Sequence, residues 1–313
     1  MATILPTLRQ LKFLQALADH GSFSRAAEAC FVTQPTLSAG IKELEGLLGA
    51  VLVERGPRGA SLTPAGEAAV ERARLVLTET EDLVHAARAA GQPLTGPFRL
   101  GVIPTIAPFL LPQVLPALRE AFPDMELFLR EDLTHRLVEG LRDRKLDAAL
   151  IALPYDADAI ETVSLIEDEF LFAAAPDHKL AQTDPLTPEA LSGEPLLLLE
   201  DGHCLRDHAL AVCTTSRPEK ENARSDFAAT SLHTLVQMVR SGLGATLLPR
   251  LAVDAGLADR LGLAIKPFSP PIAGRAIGMA FRRGSARAEE ARQLAAAVRE
   301  ALTAKQDSGR KAG

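Results

Sequence analysis

Glu200-Asp201-Gly202-His203-Cys204-Leu205-Arg206-Asp207-His208, followed five residues later by Cys213, is the densest run of reactive side chains in the 313-residue sequence. A thiol acts as a nucleophile in its thiolate form, and Arg206, a protonated His203 and a nearby helix N-terminus would each favour that anion at Cys204. Peroxide attack on such a thiolate yields a sulfenic acid, which a second thiol can trap as a disulfide before further oxidation. Cys213 is the candidate second thiol. On one continuous α-helix, nine residues span about 13 Å of axis and about half a turn. A disulfide needs Cα atoms within about 7 Å, so forming one would require the helix to unwind and repack. Two other readings stand beside this one. Buried cysteines are commonly inert, which is the expectation for Cys30. His203, Cys204, His208 and Cys213 are also plausible zinc ligands, with Cys204 and His208 one helical turn apart, although the spacing lacks a C-x-x-C hairpin.

Elements must hold these groups in place, and composition bounds what they are. The sequence is 47% hydrophobic and 24% charged with a net charge of −6, which fits ordinary globular domains and excludes disordered and fibrous classes. Its length allows two or three domains. No run approaches the roughly 18 apolar residues of a membrane span, and MATILPTLRQ lacks the apolar core of a secretory signal, so a cytoplasmic protein without a membrane partner is expected. Three cysteines do not make a disulfide framework, so any disulfide would be transient. An acidic balance is the opposite of what a simple electrostatic DNA binder shows. Any case for DNA rests on pattern.

That pattern begins at the N-terminus. Leu8, Leu11, Leu14 and Leu17 form one helical stripe that Gly21 can end. Ser22 can cap a short second helix, and Thr33 a third with Pro35 in its first turn and a buried face of Leu37, Ile41, Leu44 and Leu48. The opposite face carries Gln34, Thr36, Ser38 and Lys42, short polar groups able to reach base edges or phosphates. Two short β segments, 51–55 and 61–63, flank a basic tip with Arg55 and Arg58, which completes a winged helix-turn-helix. A small helical domain whose polar face only meets water is the alternative. From Thr63-Pro64 a long helix runs to about Ala90, with Val70, Leu77 and Val84 in heptad register. It is expected to pair with its twin, the alternative being a helix packed on its own chain. Gly91, Pro93, Gly96 and Pro97 mark a domain boundary.

Beyond it, β-rich runs alternate with amphipathic helices: 98–103, 125–129, 148–153, 170–175, 196–199, 245–248 and 277–281 as strands, with helices over 110–122, 133–143, 205–212, 232–240 and 289–302 between and after them. This is βαβ patterning of two α/β subdomains. Pro104-Thr105 and Asp201 to Arg206, each after a strand, are natural cleft walls. The polar tail from Thr303 is expected to fray. Walker, dinucleotide and Gly-x-Ser-x-Gly motifs are absent, so neither an enzyme nor a cofactor is expected.

Ser22-Phe23, Arg25-Ala26-Ala27, Thr33-Gln34-Pro35-Thr36-Leu37-Ser38, Ile41 to Leu44 and Leu62-Thr63-Pro64-Ala65-Gly66 resemble the DNA-binding signature of the LysR-type transcriptional regulators. Gly202 to Asp207, with Cys213 nine residues after Cys204, is similar to the sensing segment of the OxyR-type hydrogen peroxide sensors within that family. The resemblance implies a winged helix-turn-helix over 1–63, a dimerising linker helix over 64–92, and a periplasmic-binding-protein-like regulatory domain over 98–305. In the last, 98–168 with 270–305 would form one Rossmann-like subdomain and 169–269 the other. It further implies Cys204 as the peroxidatic thiol and Cys213 as the resolving one. Thr105, Thr134, His203, Arg206 and Asp207 would shape the peroxide pocket, while Gln34, Pro35, Thr36, Ser38, Lys42, Arg55 and Arg58 would face DNA. The implied partners are promoter DNA of antioxidant defence genes, hydrogen peroxide, a homotetramer built as a dimer of dimers, RNA polymerase, and thioredoxin or glutaredoxin as reductant. His208 stands where that family often has Gln. The competing functions are a LysR-type regulator responding to a small metabolite in the regulatory cleft and a thiol peroxidase or disulfide reductase, against which the DNA-binding signature argues.

Overall fold

The computed structural model describes residues 5–56, 59–89, 94–191, 194, 196–214, 228–272 and 274–310, with the backbone alone for 55, 82, 85–89, 212–214 and 305–310. It divides into two compact units, residues 1–90 and 91–313. No described helix is long and apolar enough to cross a membrane.

In the first unit, α1 (Leu8–His20), α2 (Phe23–Ala29) and α3 (Gln34–Leu48) precede the hairpin β1 (Val53–Gly56) and β2 (Gly59–Leu62) and the long helix α4 (Pro64–Ala89). Thr7 and Gln10 close a reciprocal capping box at the start of α1, and Gly21 ends that helix at φ 61°. Thr33 caps α3 through the Thr36 amide, with Pro35 in the first turn. Ser22 takes the N-cap position of α2 but forms no side-chain cap bond, contrary to expectation. The core joins Leu11, Phe13, Leu14 and Leu17 to Leu37, Ile41 and Leu44. Leu8 and Leu48, expected on the buried faces, are exposed instead because each lies at a helix end past its neighbours. The heptad of α4 also divides: Val70 and Leu77 are buried against α1 of the same chain, while Val84 is 43% exposed. The first two heptad positions therefore serve the internal core.

In the second unit, β3 (Gly96–Val102), α5 (Ala107–Ala121), β4 (Met125–Glu131), α6 (Thr134–Arg142) and β5 (Ala148–Leu153) alternate strand with helix, followed by β6 (Ile160–Asp168) and β7 (Phe170–Ala174). Then come α7 (Cys204–Thr214), α8 (Leu232–Arg240), β8 (Thr246–Pro249), α9 (Arg250–Asp254), β9 (Ala264–Lys266), β10 (Arg275–Arg282) and α10 (Ala288–Arg310). One sheet runs β4-β3-β5-β10-β6, the other β8-β7-β9. The first three strands are parallel, as βαβ patterning predicts, and β5 is buried along Ala148–Ala152 as a strand covered on both faces must be. Strand β10 instead runs antiparallel to both β5 and β6. The chain passes to the second sheet between Asp168 and Phe170 and returns between Lys266 and Arg275.

Three expectations change. The apolar run 196–199 forms two isolated bridges, Leu196 to Ala245 and Leu199 to Ala229, rather than a strand. Strands β6 and β9 were not expected. The tail does not fray at Thr303: α10 continues to Arg310, carried by Ala, Lys and Gln, which favour helix without needing a core.

Candidate functional site

Five element ends meet in the second unit. Thr105 follows β3, Thr134 opens α6, Cys204 opens α7, Asp168 ends β6 and Arg275 opens β10. Thr105 and Thr134 are each 3% exposed, and Arg275 is closed to solvent. The antiparallel register of β6 and β10 sets Arg275 opposite Asp168. The guanidinium Nε donates to Asp168 Oδ2 at 3.0 Å, Nη1 donates to Thr105 Oγ1 at 2.7 Å and Nη2 to the Thr105 carbonyl at 2.9 Å. Asp168 is held in turn by the Leu251 amide, 2.8 Å from Oδ1. A buried charge survives only when paired and hydrogen-bonded, and this one is both. Burial presses the Arg275 pKa below its ordinary value, while Asp168 and the charge of Cys204 oppose that shift.

Cys204 is a free, half-buried thiol whose sulfur lies 2.9 Å from Thr134 Oγ1. A hydroxyl can donate to a thiolate there, and the first-turn position aims helix amides toward the same anion. The other expected partners are placed differently. His203 is half-buried, and desolvation lowers its pKa from the ordinary histidine value against the opposing pull of Glu200. Arg206 is turned to the segment before α7, pairing with Asp201 at 2.9 Å and donating to the Leu199 carbonyl at 3.1 Å. Asp207 is exposed in the first turn of α7. Arg275, more than seventy residues further along the chain, is the buried cation among the element ends that gather around this site.

His208, one turn beyond Cys204, has a buried Nδ1 with no hydrogen-bond partner. Burial and the nearby Arg275 charge lower its pKa, and Asp207 opposes them. Helix α7 is continuous from Cys204 to Thr214, so the backbone holds positions 204 and 213 about 13 Å apart along one axis. The Cys213 side chain lies outside the described residues. Among the described residues no group of three or more His, Cys, Asp or Glu converges on a metal position. Cys30 is partly covered, its thiol pKa raised by burial against the counteracting charge of Lys12.

In the first unit, Gln34, Pro35 and Thr36 are exposed in the opening turn of α3, Ser38 is half-buried and Lys42 is exposed. Ser24 Oγ donates to Gln34 Oε1 at 3.2 Å, tethering that side chain to α2. Arg58 and the side chain of Arg55 lie outside the described residues.

Residues 8–67 match the family model for the bacterial regulatory helix-turn-helix protein, lysR family, and residues 91–303 match the LysR substrate binding domain. The chain is 43% identical over 295 residues to the hydrogen peroxide-inducible genes activator of Dickeya chrysanthemi, covering 94% of this chain and 95% of the relative. It is 42% identical over 292 residues to the DNA-binding transcriptional dual regulator OxyR of Escherichia coli K12, covering 93% and 94%. Among solved structures, full-length OxyR from Pseudomonas aeruginosa, carrying a cysteine-to-aspartate substitution, is similar with a TM-score of 0.75 at 35% identity, covering 95% of each chain. A cysteine-to-serine variant of Corynebacterium glutamicum OxyR with hydrogen peroxide bound is similar with a TM-score of 0.67 at 37% identity, covering 96% and 94%. Helix-turn-helix, regulatory α/β fold and similarity over nearly the full length agree, and the chain belongs to the LysR family of DNA-binding transcription regulators, within its OxyR-type members.

Proposed function

We propose that the protein senses hydrogen peroxide through Cys204 and converts its oxidation into altered transcription from promoter DNA. The observation that carries this reading is the Cys204 thiol at the start of α7, 2.9 Å from the buried Thr134 hydroxyl. The Cys204 thiolate attacks one oxygen of the peroxide. The S–O bond forms as the O–O bond breaks, and the departing hydroxide takes a proton to leave as water, giving a sulfenic acid. The Thr134 hydroxyl donates to the attacking sulfur and orients it, and the amides of the first turn of α7 face the same anion. The Cys213 thiol gives up its proton and its thiolate attacks the Cys204 sulfur; the S–S bond forms as the S–O bond breaks, and the departing hydroxide takes that proton to leave as water. Two protein electrons per peroxide are consumed, and a dithiol reductant of the thioredoxin or glutaredoxin class returns them.

The continuous helix between the two positions is what links chemistry to shape, because a disulfide cannot span about 13 Å without unwinding α7. A stretch of α7 that repacks against the core around Leu205 and Ala209 alters the second unit's surface, and thereby the assembly on DNA. Gln34, Pro35, Thr36, Ser38 and Lys42 read and grip the major groove, with Arg55 and Arg58 reaching adjacent phosphates. Exposed Val76, Leu83 and Val84 on α4 favour pairing with a second copy, the first step toward a tetramer.

The experiment is nonreducing peptide mapping after a brief, near-stoichiometric peroxide pulse on the reduced protein. A Cys204–Cys213 linked peptide that forms quickly and is lost on adding thioredoxin supports the switch. Both thiols surviving while promoter binding persists overturns it in favour of a regulator answering to a small metabolite.

A further inference from the structure

Phe31 sits in the four-residue connection between α2 and α3 under two unfavourable conditions. Its backbone is left-handed, φ 54°, and its ring is 96% exposed, the highest value among the described large apolar side chains. The hydrogen bonds explain the first condition. Val32 N–H reaches the Ala27 carbonyl and Phe31 N–H the Glu28 carbonyl, both at 3.0 Å, which is the pair of bonds that closes a helix in a Schellman motif. Phe31 holds the position in that motif where glycine is the usual residue, because a Cβ crowds the following carbonyl. A glycine here would relax the backbone and take an aromatic ring out of water. The fold gains from the ring on neither count, and unfavourable conformations of this kind concentrate where a ligand is met.

The position supplies the ligand. Gln34, Pro35 and Thr36 form the exposed opening turn of α3, and three residues of chain keep the Phe31 Cα within about 11 Å of the Gln34 Cα. In a helix-turn-helix, that end of the recognition helix enters the major groove. The only apolar group a base pair presents there is the thymine C5-methyl, which aromatic rings contact. We infer that Phe31 is a specificity-determining residue that packs its ring against a thymine methyl beside the bases met by the first turn of α3. The inference rests on α3 being the recognition helix.

A duplex selected by the full-length protein from a randomised pool provides the probe, with each thymine replaced in turn by deoxyuridine at constant salt. Wild type is expected to lose about fourfold in affinity at one position per half-site, the worth of one buried methyl. Phe31→Ala is expected to bind the parent duplex about tenfold more weakly and to lose all sensitivity at that position. Phe31→Gly and Phe31→Asn are expected to show the same DNA defect with a higher unfolding midpoint, which separates lost contact from lost fold. Affinity unchanged in Phe31→Ala overturns the inference, as does an equal loss on selected and random duplexes with the thymine sensitivity retained. Failure of α3 itself reads differently: Gln34→Ala would then leave binding to the selected duplex intact.

Discussion

Asp168 and Arg275 face one another at 3.0 Å across the pairing of β6 with β10, with side chains 1% and 0% exposed. The pair is bracketed by further bonds: the Leu251 N–H donates to the carboxylate, and the guanidinium donates to the Thr105 hydroxyl and carbonyl. Removing one partner strands the other in a dry site. Asp168→Asn is therefore expected to destabilise the reduced protein by about 3–5 kcal/mol in urea unfolding, whereas a double replacement by well-packed apolar residues recovers much of that loss. A single-variant cost below about 1 kcal/mol would mean that solvent reaches the pair.

The contact between Thr134 and Cys204 predicts a rate. Its hydroxyl is 2.9 Å from the sulfur and both groups open helices, so Thr134→Val keeps the shape and deletes the donor. A hydrogen bond to a charged group contributes about 1.5–3 kcal/mol, so thiol loss under stoichiometric peroxide is expected to slow by about tenfold or more, with Thr134→Ser close to wild type. An unchanged rate in Thr134→Val would remove the hydroxyl from the mechanism.

Two histidines beside the site give a pH dependence whose sign is fixed. His203 and His208 both have pKa values lowered from 6.5, chiefly by burial, and at His208 also by Arg275. The unfolded chain binds protons there first, so stability is intact above about 6.5 and falls as pH drops from that value through the folded pKa values. Urea midpoints at pH 7.5 and 5.5 should separate, and His208→Gln should narrow the gap. A protein more stable at the lower pH would contradict the sign.

Local pattern carried much of this molecule. Thr33 and Pro35 announce α3, Gly21 ends α1, and Cys204 announces itself within a run of reactive neighbours, all through interactions spanning a few residues. Arg275 and Asp168 were not legible. They lie 107 residues apart, each at the end of a strand, and only the antiparallel register of β10 brings them together. A charge at a strand end reads as a solvent boundary unless the partner is known. The heptad of α4 could not by itself tell an internal partner from a second copy: Val70 and Leu77 satisfy a coiled-coil spacing equally well when the partner is α1. Leu196 to Leu199 has the composition of a strand, but its neighbours offer single bridges at Ala245 and Ala229.

One glycine in the N-terminal signature has a steric reason that yields a test confined to the first unit. A Cβ on Gly66 would stand 2.0 Å from the Leu52 carbonyl oxygen, which is backbone and has little freedom to move. Thr63 makes that approach close. Its amide donates to the Leu52 carbonyl at 3.0 Å, its hydroxyl donates to the Val51 carbonyl at 2.7 Å, and the same hydroxyl accepts from the Gly66 amide at 3.0 Å. The start of α4 is thus bound directly to the strand that carries the wing. Gly66→Ala must push α4 away from Leu52, breaking these bonds and loosening Val70 and Leu77 from α1. The expected cost is about 1–3 kcal/mol, with weaker binding to the selected duplex. Peroxide oxidation of Cys204 in the same full-length variant should proceed at the wild-type rate, because Thr134, the hydroxyl at the thiol, belongs to the second unit. Slowed oxidation in Gly66→Ala would mean that the wing is coupled to the thiol, and the two activities could not then be assigned to separate units.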